Sequence, residues 1–461
     1  MAYGTNDRQT IFAQASGFGK AAVAVIRISG RSTGRVIDTL IGRKLEPRVA
    51  SYCNLREPGC DRILDRAIVL WFPGPFSLTG EDSAELQIHG AISVVRAISK
   101  VLAKMDDLRL AEPGEFARRS LYNGKSSLIQ VEALGDLLNS ETEQQRLFAI
   151  GQSFGKLQSV VEGWRRLLID ALVSIEAELD FSDEADVRGG APTKWLDICR
   201  VILADMSLLS RDGRQTECLR HGLTVLIAGP PNSGKSSLLN VISRRDVAIV
   251  SERAGTTRDL IEVKLDLGGF PVNLVDTAGI HATDDPIERE GIERARKKGA
   301  QSDLVLWLTP LDTEFVSPPG EFSQRPLWYI LTKVDSGPVK GPLNLSQTDA
   351  QRLAPFAAIS GSAAMVSAKS GYGIEQFIQE LQDYANEKMS VEGSVCLAND
   401  RQRTSITAAE AALESALKCG VPLEVVADDL RRACFLLEQL IGKVGVEDVL
   451  DHLFAQFCIG K

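Results

Sequence analysis

The spacing of apolar residues changes along the chain, and each change predicts a different kind of structure. Over residues 1–124, short apolar runs such as AAVAVIRIS (21–29) and RAIVLWF (66–72) are divided by the turn-forming stretches PGPFSLTGED and AEPGEF. That texture predicts an α+β domain. Over 125–220, apolar residues recur at three- and four-residue spacing in VEALGDLLNSETEQQRLFAIG and VVEGWRRLLIDALVSIEAELDF. This is the period of a helix face, with an interruption near VRGGAPTKW at 187–195. From Gly222 the texture alternates: strand TVLIAG, helix SSLLNVIS, then strands VKLDL, VNLVD, LVLWLT and LWYILT. Alternation of that kind predicts a mostly parallel sheet with helices on both faces, here over 221–388. Helical spacing returns over 389–461 in AAEAALESAL and VADDLRRACFLLEQLIG. The α/β segment therefore reads as an insertion between two helical segments that pack together. The polar, proline-containing stretches 311–326 and 336–347 read as surface connections.

Length agrees with several domains, since 461 residues exceed the roughly 250–300 at which single cores stop growing. With 52 basic and 61 acidic side chains, the formal charge of -9 gives no whole-molecule attraction to nucleic acid, so RNA binding would need a local patch. The pairs Arg118/Arg119, Arg165/Arg166 and Arg431/Arg432 are candidates for such a patch, or simply solvated helix faces. Eight scattered cysteines, with no C-x-x-C pair and no zinc spacing, read as reduced thiols. The N-terminal segment lacks the pattern of a signal peptide, and no apolar run approaches the length of a membrane span. A cytoplasmic address is expected.

The stretch GPPNSGKSS at 229–237 fits G-x-x-x-x-G-K-[ST] directly after a predicted strand and before a predicted helix. Phosphate oxygens need many donors at close range. Gly229 and Gly234 let the backbone wrap them, and Asn232, Ser233 and Ser237 complete the loop. Lys235 reaches the β and γ phosphates, and Ser236 Oγ can ligate Mg²⁺. In AGTTRD (254–259), Thr256 precedes Thr257, whose hydroxyl can close on Mg²⁺ beside a γ-phosphate. In DTAG, Asp276 would hold the metal through water, with Thr277 and Ala278 leading to the γ-phosphate-sensing amide of Gly279. TKVD at 332–335 selects the base: Asp335 accepts from guanine N1–H and the 2-amino group, where adenine presents an acceptor instead. Lys333 covers the base with its stem, and Ser367, Ala368 and Lys369 supply backbone amides. These features predict a GTP hydrolase.

LTGEDSAELQIHG (78–90), EPGEFARRSLYNGK (112–125) and FCIGK (457–461), together with GPPNSGKSSLLN and AGTTRD, resemble the MnmE (TrmE) family of tRNA uridine-modification GTPases over essentially the whole chain. The resemblance implies a multidomain α/β plus all-α protein: an N-terminal α+β folate-binding and dimerising domain, a helical domain, and an inserted Ras-like P-loop GTPase domain. It implies a homodimer that works with an FAD-dependent MnmG-type protein, as a heterotetramer, on C5 of the wobble uridine (position 34) of certain tRNAs. The one-carbon unit would come from a tetrahydrofolate derivative, in the 5,10-methylene or 5-formyl form.

Carried onto matching positions, the folate contacts are Arg27, Glu85, Lys125 and Lys461. From their residue types alone, Arg27 and Glu85 would be an ordinary ion pair at a strand edge. The thiol of the terminal motif, Cys458, is either a direct participant or a buried lock on the tail. Neither Ile280 nor His281 is a glutamine, so another residue must orient the attacking water; the same resemblance implies that it is Glu288. A K⁺ ion would stand where an arginine finger stands elsewhere, held by Asn232, Ser251, Arg253 and Thr256.

The chain departs from the family pattern at Ser126 and Ser127, where leucine and aspartate are usual, at Ala91 in HGA, and at Thr332, where GTPases of this kind carry asparagine. Two other readings stay open: a GTP-gated RNA-binding or ribosome-assembly factor, and a diverged scaffold without one-carbon chemistry. Folate binding and wobble-nucleoside analysis discriminate them.

Overall fold

The computed structural model describes residues 9–60, 62–180, 194–211, 213–245, 247–249, 262–276, 302–313, 316–320, 322, 325–336, 363–390, 395–444, 453, 454, 457 and 460. The chain forms two compact units that interleave in sequence. One comprises Met1–Gly135, Ser153–Leu203 and Ser405–Lys461, the other Asp136–Gln152 and Ala204–Thr404. Among the described residues, no helix is long and apolar enough to cross a membrane.

The first unit carries a mixed sheet of β1 (Thr10–Gln14), β2 (Val23–Ser29), β3 (Ser51–Arg56), β4 (Ile63–Phe72), β5 (Ser83–His89) and β6 (Leu108–Leu110), in the order β3-β4-β5-β2-β1-β6. Helices α1 (Thr33–Ile41) and α2 (Ile92–Leu102) contribute Val36, Ile37, Leu40, Ile98 and Leu102 to a core shared with Phe12, Ile26, Ile28 and Leu86 of the strands. Because strand side chains alternate faces, burying Ile26 and Ile28 under these helices sends Arg27 to the opposite face, where β2–β5 pairing sets it across from Glu85. On that face Ile11 and Ala13 meet Ala111 and Phe116, the latter on α3 (Glu115–Tyr122).

The helical part of this unit holds α4 (Leu128–Asn139), α6 (Lys156–Asp180) and α12 (Leu423–Ile441). Ion pairs Arg165–Glu438 at 2.5 Å and Arg431–Glu176 at 2.7 Å join α6 to α12. Phe454 fills a small core with Ala117, Leu121, Leu128 and Val131, and its ring centre lies 5.3 Å from the Arg118 guanidinium. A Cβ on Gly114 would stand 2.5 Å from that ring, and one on Gly460 would strike the Gln14 carbonyl, so Gly460 lies against the end of β1.

The second unit is built on β7 (Leu223–Ala228), β8 (Glu262–Leu267), β9 (Phe270–Asp276), β10 (Leu304–Pro310), β11 (Leu327–Thr332) and β12 (Ala363–Met365), in the order β12-β11-β10-β7-β9-β8. Every neighbouring pair is parallel except β8–β9. β10 is buried along its whole length and β7 nearly so, as strands covered on both faces must be. Helices α9 (Lys235–Ser243) and α10 (Ile374–Met389) cover one face through Leu238, Leu239, Ile242, Phe377 and Leu381. The other face packs Leu226, Val275, Val305 and Trp307 against Phe322. That last residue corrects the expectation for 311–326: the stretch is more than a surface connection, since Phe322 is buried with its ring centre 6.3 Å from that of Trp307.

Helices α5 (Glu143–Ser153), α7 (Lys194–Arg211), α8 (Gly213–His221) and α11 (Asp400–Ala416) complete the described α-helices. The doubly wound sheet brings the C-terminal ends of β7, β9, β11 and β12 to one edge, where such folds bind ligands.

Candidate functional site: a phosphate loop and a base pocket on one sheet edge

At that edge β7 runs into a loop whose backbone takes positive φ at Gly229 (154°), Asn232 (60°) and Gly234 (93°) before α9 begins. Such a path presents successive backbone N–H groups to one point, backed by the positive end of a helix. Lys235 is buried, and its Nζ donates to the carbonyls of Gly229 (3.0 Å) and Pro230 (2.9 Å), which holds the ammonium at the loop. Burial pushes its pKa down, against the attraction of Asp276. Asn232, Ser236 and Ser237 are exposed on the loop and first helical turn, whereas Ser233 is fully buried.

Asp276 ends β9 and is fully buried. Burial raises its pKa, opposed by the hydrogen bond from Ser236 and by the Lys235 charge. Ser236 Oγ donates to Asp276 Oδ2 at 3.0 Å, while Oδ1 has no hydrogen-bond partner among the described residues. A buried carboxylate oxygen without a donor, next to a serine hydroxyl and a phosphate loop, fits a hydrated divalent cation such as Mg²⁺.

The base pocket lies at the ends of β11 and β12. Asp335 Oδ1 accepts a hydrogen bond from Ser367 Oγ at 2.6 Å, and Ser367 Oγ in turn accepts one from the Ser370 amide at 3.1 Å. The Ser367 hydroxyl and a backbone donor hold Asp335 below the usual carboxylate range, so it stays an anion that only accepts. Lys333 takes φ 59° and its Nζ meets Asp312 at 3.1 Å, a contact that anchors its ammonium. Ala368 is half-buried and Lys369 exposed. The Thr332 hydroxyl donates to the Ser233 carbonyl at 2.7 Å, a buried bond that joins the base segment to the phosphate loop.

Two family matches cover the chain: MnmE helical domain over residues 128–458, and GTP-binding protein TrmE N-terminus over residues 10–125. The sequence is 43% identical over 456 residues to the tRNA modification GTPase MnmE of Bradyrhizobium sp. (strain BTAi1), spanning 98% of this chain and 99% of that protein. It is 45% identical over 460 residues to the tRNA modification GTPase MnmE of Methylobacterium radiotolerans, spanning 99% and 100%. The chain belongs to the MnmE family of tRNA modification GTPases. It is accordingly a GTP hydrolase acting in tRNA modification, with the N-terminal, helical and inserted G domains of that family. One solved structure it resembles is Aquifex aeolicus Era, at 21% identity and a TM-score of 0.29 over 43% of this chain and 69% of that one.

In this MnmE-family chain Arg27 and Glu85 share the sheet face opposite α1 and α2. Arg27 donates to Glu85 Oε1 at 2.9 Å, and its guanidinium lies 5.8 Å from the Phe116 ring centre. Sequence reasoning missed the network beside them. Ser29 Oγ donates to Glu81 at 2.8 Å, Glu81 pairs with buried Arg119 at 2.9 Å, and Arg119 pairs with Glu115 at 3.1 Å. Arg119 thus belongs to a carboxylate pocket and not to a nucleic-acid patch. Arg165 and Arg431, also candidates for such a patch, are paired with the carboxylates of Glu438 and Glu176. The four-residue spacing of Glu115 and Arg119 was the available signal. Lys125 packs over Gly80, next to Glu81 in the chain, with Nζ 5.8 Å from the Phe76 ring centre.

The family departures have local roles. Ala91 is the extended residue that opens α2. Ser126 Oγ meets Ser120 Oγ at 2.9 Å. Ser127 caps α4: its Oγ accepts from the Gln130 amide at 3.3 Å while Gln130 Oε1 accepts from the Ser127 amide at 2.9 Å, a reciprocal capping box. Ser251, Arg253, Thr256, Thr257, Thr277, Ala278, Gly279, Glu288, Cys458 and Lys461 lie outside the described residues.

Proposed function

We propose that this chain is a K⁺-dependent GTPase that installs an aminomethyl-type group on C5 of uridine 34 in certain tRNAs, together with an MnmG-type FAD protein. The observation that carries the hydrolytic part is the convergence of Lys235, Ser236 and Asp276 with Asp335 and Ser367 on one sheet edge. Backbone amides of 232–237 and Lys235 bind the β and γ phosphates, and Ser236 and Thr257, with Asp276 through water, would hold a Mg²⁺ that would neutralise phosphate charge. The loop through Thr277, Ala278 and Gly279 meets the γ-phosphate, and Glu288 orients the attacking water. Asp335 selects guanine, with Lys333 over the base and Ser367, Ala368 and Lys369 behind it. A weakly hydrated K⁺ held by Asn232, Ser251, Arg253 and Thr256 would supply the positive charge that an arginine finger gives elsewhere.

Arg27 and Glu85 form the ion pair that their residue types alone predict, so the folate assignment rests on the match to the TrmE N-terminal family. A pterin offers a donor edge to a carboxylate and a plane that stacks on an aromatic ring, and the glutamate tail suits Lys125 and Lys461. Cys458 stands either in the chemistry or in the packing of the tail. The working form is a cytoplasmic homodimer, assembled with its partner as a heterotetramer, with domain limits at 1–124, 125–220, 221–388 and 389–461.

Separate measurements test the two halves. Hydrolysis should run faster in K⁺ than in equimolar Na⁺; equal rates would remove that cation from the mechanism. Cells lacking the protein should lose the modified wobble uridine by mass spectrometry, and unchanged nucleosides would favour the scaffold reading. An assembly factor would leave labelled 5-formyltetrahydrofolate unbound.

A further inference from the structure

We infer that Thr332 is a positioning residue for the phosphate loop and that it leaves the purine N7 unread, so guanine is selected without a contact from this position to the imidazole edge. The inference rests on the reading of Asp335 as the guanine selector. Thr332 is 5% exposed, and its hydroxyl reaches the carbonyl of Ser233, 99 residues earlier in the chain, at 2.7 Å. A carbonyl only accepts, so the single hydroxyl proton of Thr332 lies in that bond. What remains on the oxygen are lone pairs. Purine N7 and O6 are acceptors as well, and an oxygen with no proton to give cannot bond to them.

The asparagine usual at this position carries two N–H donors and can serve a loop carbonyl and a base acceptor together; threonine must choose. The structure shows which it serves. Gly234, the residue after Ser233, has Thr332 Cβ and Oγ1 at 3.9 Å as the nearest atoms to a Cβ placed on it. Thr332 therefore forms the wall against which the loop turns into α9. The threonine keeps the mechanical half of the asparagine's task and gives up the recognition half.

The experiment compares GTP with 7-deaza-GTP, which lacks the N7 acceptor, as substrates of the full-length chain, with ATP as control. Wild type should give kcat/KM for the two guanine nucleotides within about twofold. T332N should acquire a preference for GTP of about fivefold, the scale of one added hydrogen bond. T332V, which keeps the shape and loses the proton, should weaken GTP in KM and GDP in its directly measured Kd alike, by about tenfold, because the buried Ser233 carbonyl loses its donor. T332S should restore binding to within about twofold.

Discrimination against 7-deaza-GTP by the wild type, at the level expected of T332N, would overturn the unread N7. Unchanged GDP affinity in T332V would overturn the positioning role, and a T332S variant that fails to rescue would do the same. Equal turnover of ATP and GTP by the wild type would instead sink the Asp335 reading and leave T332V and T332S to judge the loop contact alone.

Discussion

Replacing Gly229 by alanine should abolish tight nucleotide binding while leaving the sheet folded. A Cβ at this position would stand 2.6 Å from the Leu308 carbonyl oxygen, 2.9 Å from Ser233 Oγ and 3.1 Å from Leu308 Cβ, on a backbone with φ +154°. The Ser233 hydroxyl can rotate away. The Leu308 carbonyl cannot, because β10 is laddered between β7 and β11. Ordinary contact begins at 3.4 Å, so the loop must retreat from β10 by about 0.8 Å. Overpacking and backbone strain of this kind cost about 1–3 kcal/mol, and moving the loop is the available relief. Amides that converge on a phosphate work only within hydrogen-bond distance, and losing one or two bonds to a charged group, at about 1.5–3 kcal/mol each, costs on the order of a hundredfold. Calorimetry with GDP in Mg²⁺ and K⁺ buffer, alongside thermal melts, checks this, with G320A as control because nothing lies within 4 Å of a Cβ there. If G229A bound GDP within about threefold of wild type, against an expected effect near a hundredfold, the steric account of this loop would be wrong.

Three further outcomes follow from contacts already described. D335N should turn the preference from GTP towards XTP, because an amide can donate to the 2-oxo group where a carboxylate must accept, and competition assays with the two nucleotides would show it. S127A should cost about 1 kcal/mol in denaturant unfolding through loss of the α4 cap, while S127D should be near neutral, because aspartate caps as well as serine; equal midpoints for S127A and wild type would dismiss the cap. Glu115 gives the pH case. Burial would raise its carboxyl, but hydrogen bonds from Arg109 and the Glu112 amide and the charge of Arg119 prevail and hold it below its ordinary 4.5. A carboxyl depressed in the folded state stabilises fully above its unfolded value and loses that contribution as pH falls through the folded one. E115Q should therefore flatten the stability curve below about pH 4.5, and an unchanged acid limb would refute the assignment.

The nucleotide site was legible in the sequence because its chemistry is local: glycines that must turn, a lysine that must reach and a strand before the loop all sit within a few residues. Asp276 and Asp335 could be placed because each follows an apolar run that reads as a strand, and parallel strands deliver their ends to one edge; Ser367 was singled out by its SAK motif, without a strand before it. Contacts between distant residues were not legible. Nothing in the composition of 311–326 marks Phe322 as the residue that closes one face of the sheet, and only the fold brings Glu81 against Arg119, which in sequence is half of a basic pair. The partner of Thr332 is 99 residues away, so its substitution reads as a loss when part of the role is retained. Ser127 is the case where a signal was present and unused, since Ser-x-x-Gln ahead of an apolar run is itself a helix-start pattern.

The seating of Gly460 against Gln14 imposes an order on maturation. Translation delivers the N-terminal strands first, then the whole nucleotide-binding sheet, and only afterwards Phe454 and Gly460. The end of β1 therefore stays uncovered until the last residues of the first unit have been made, long after the strands it belongs to.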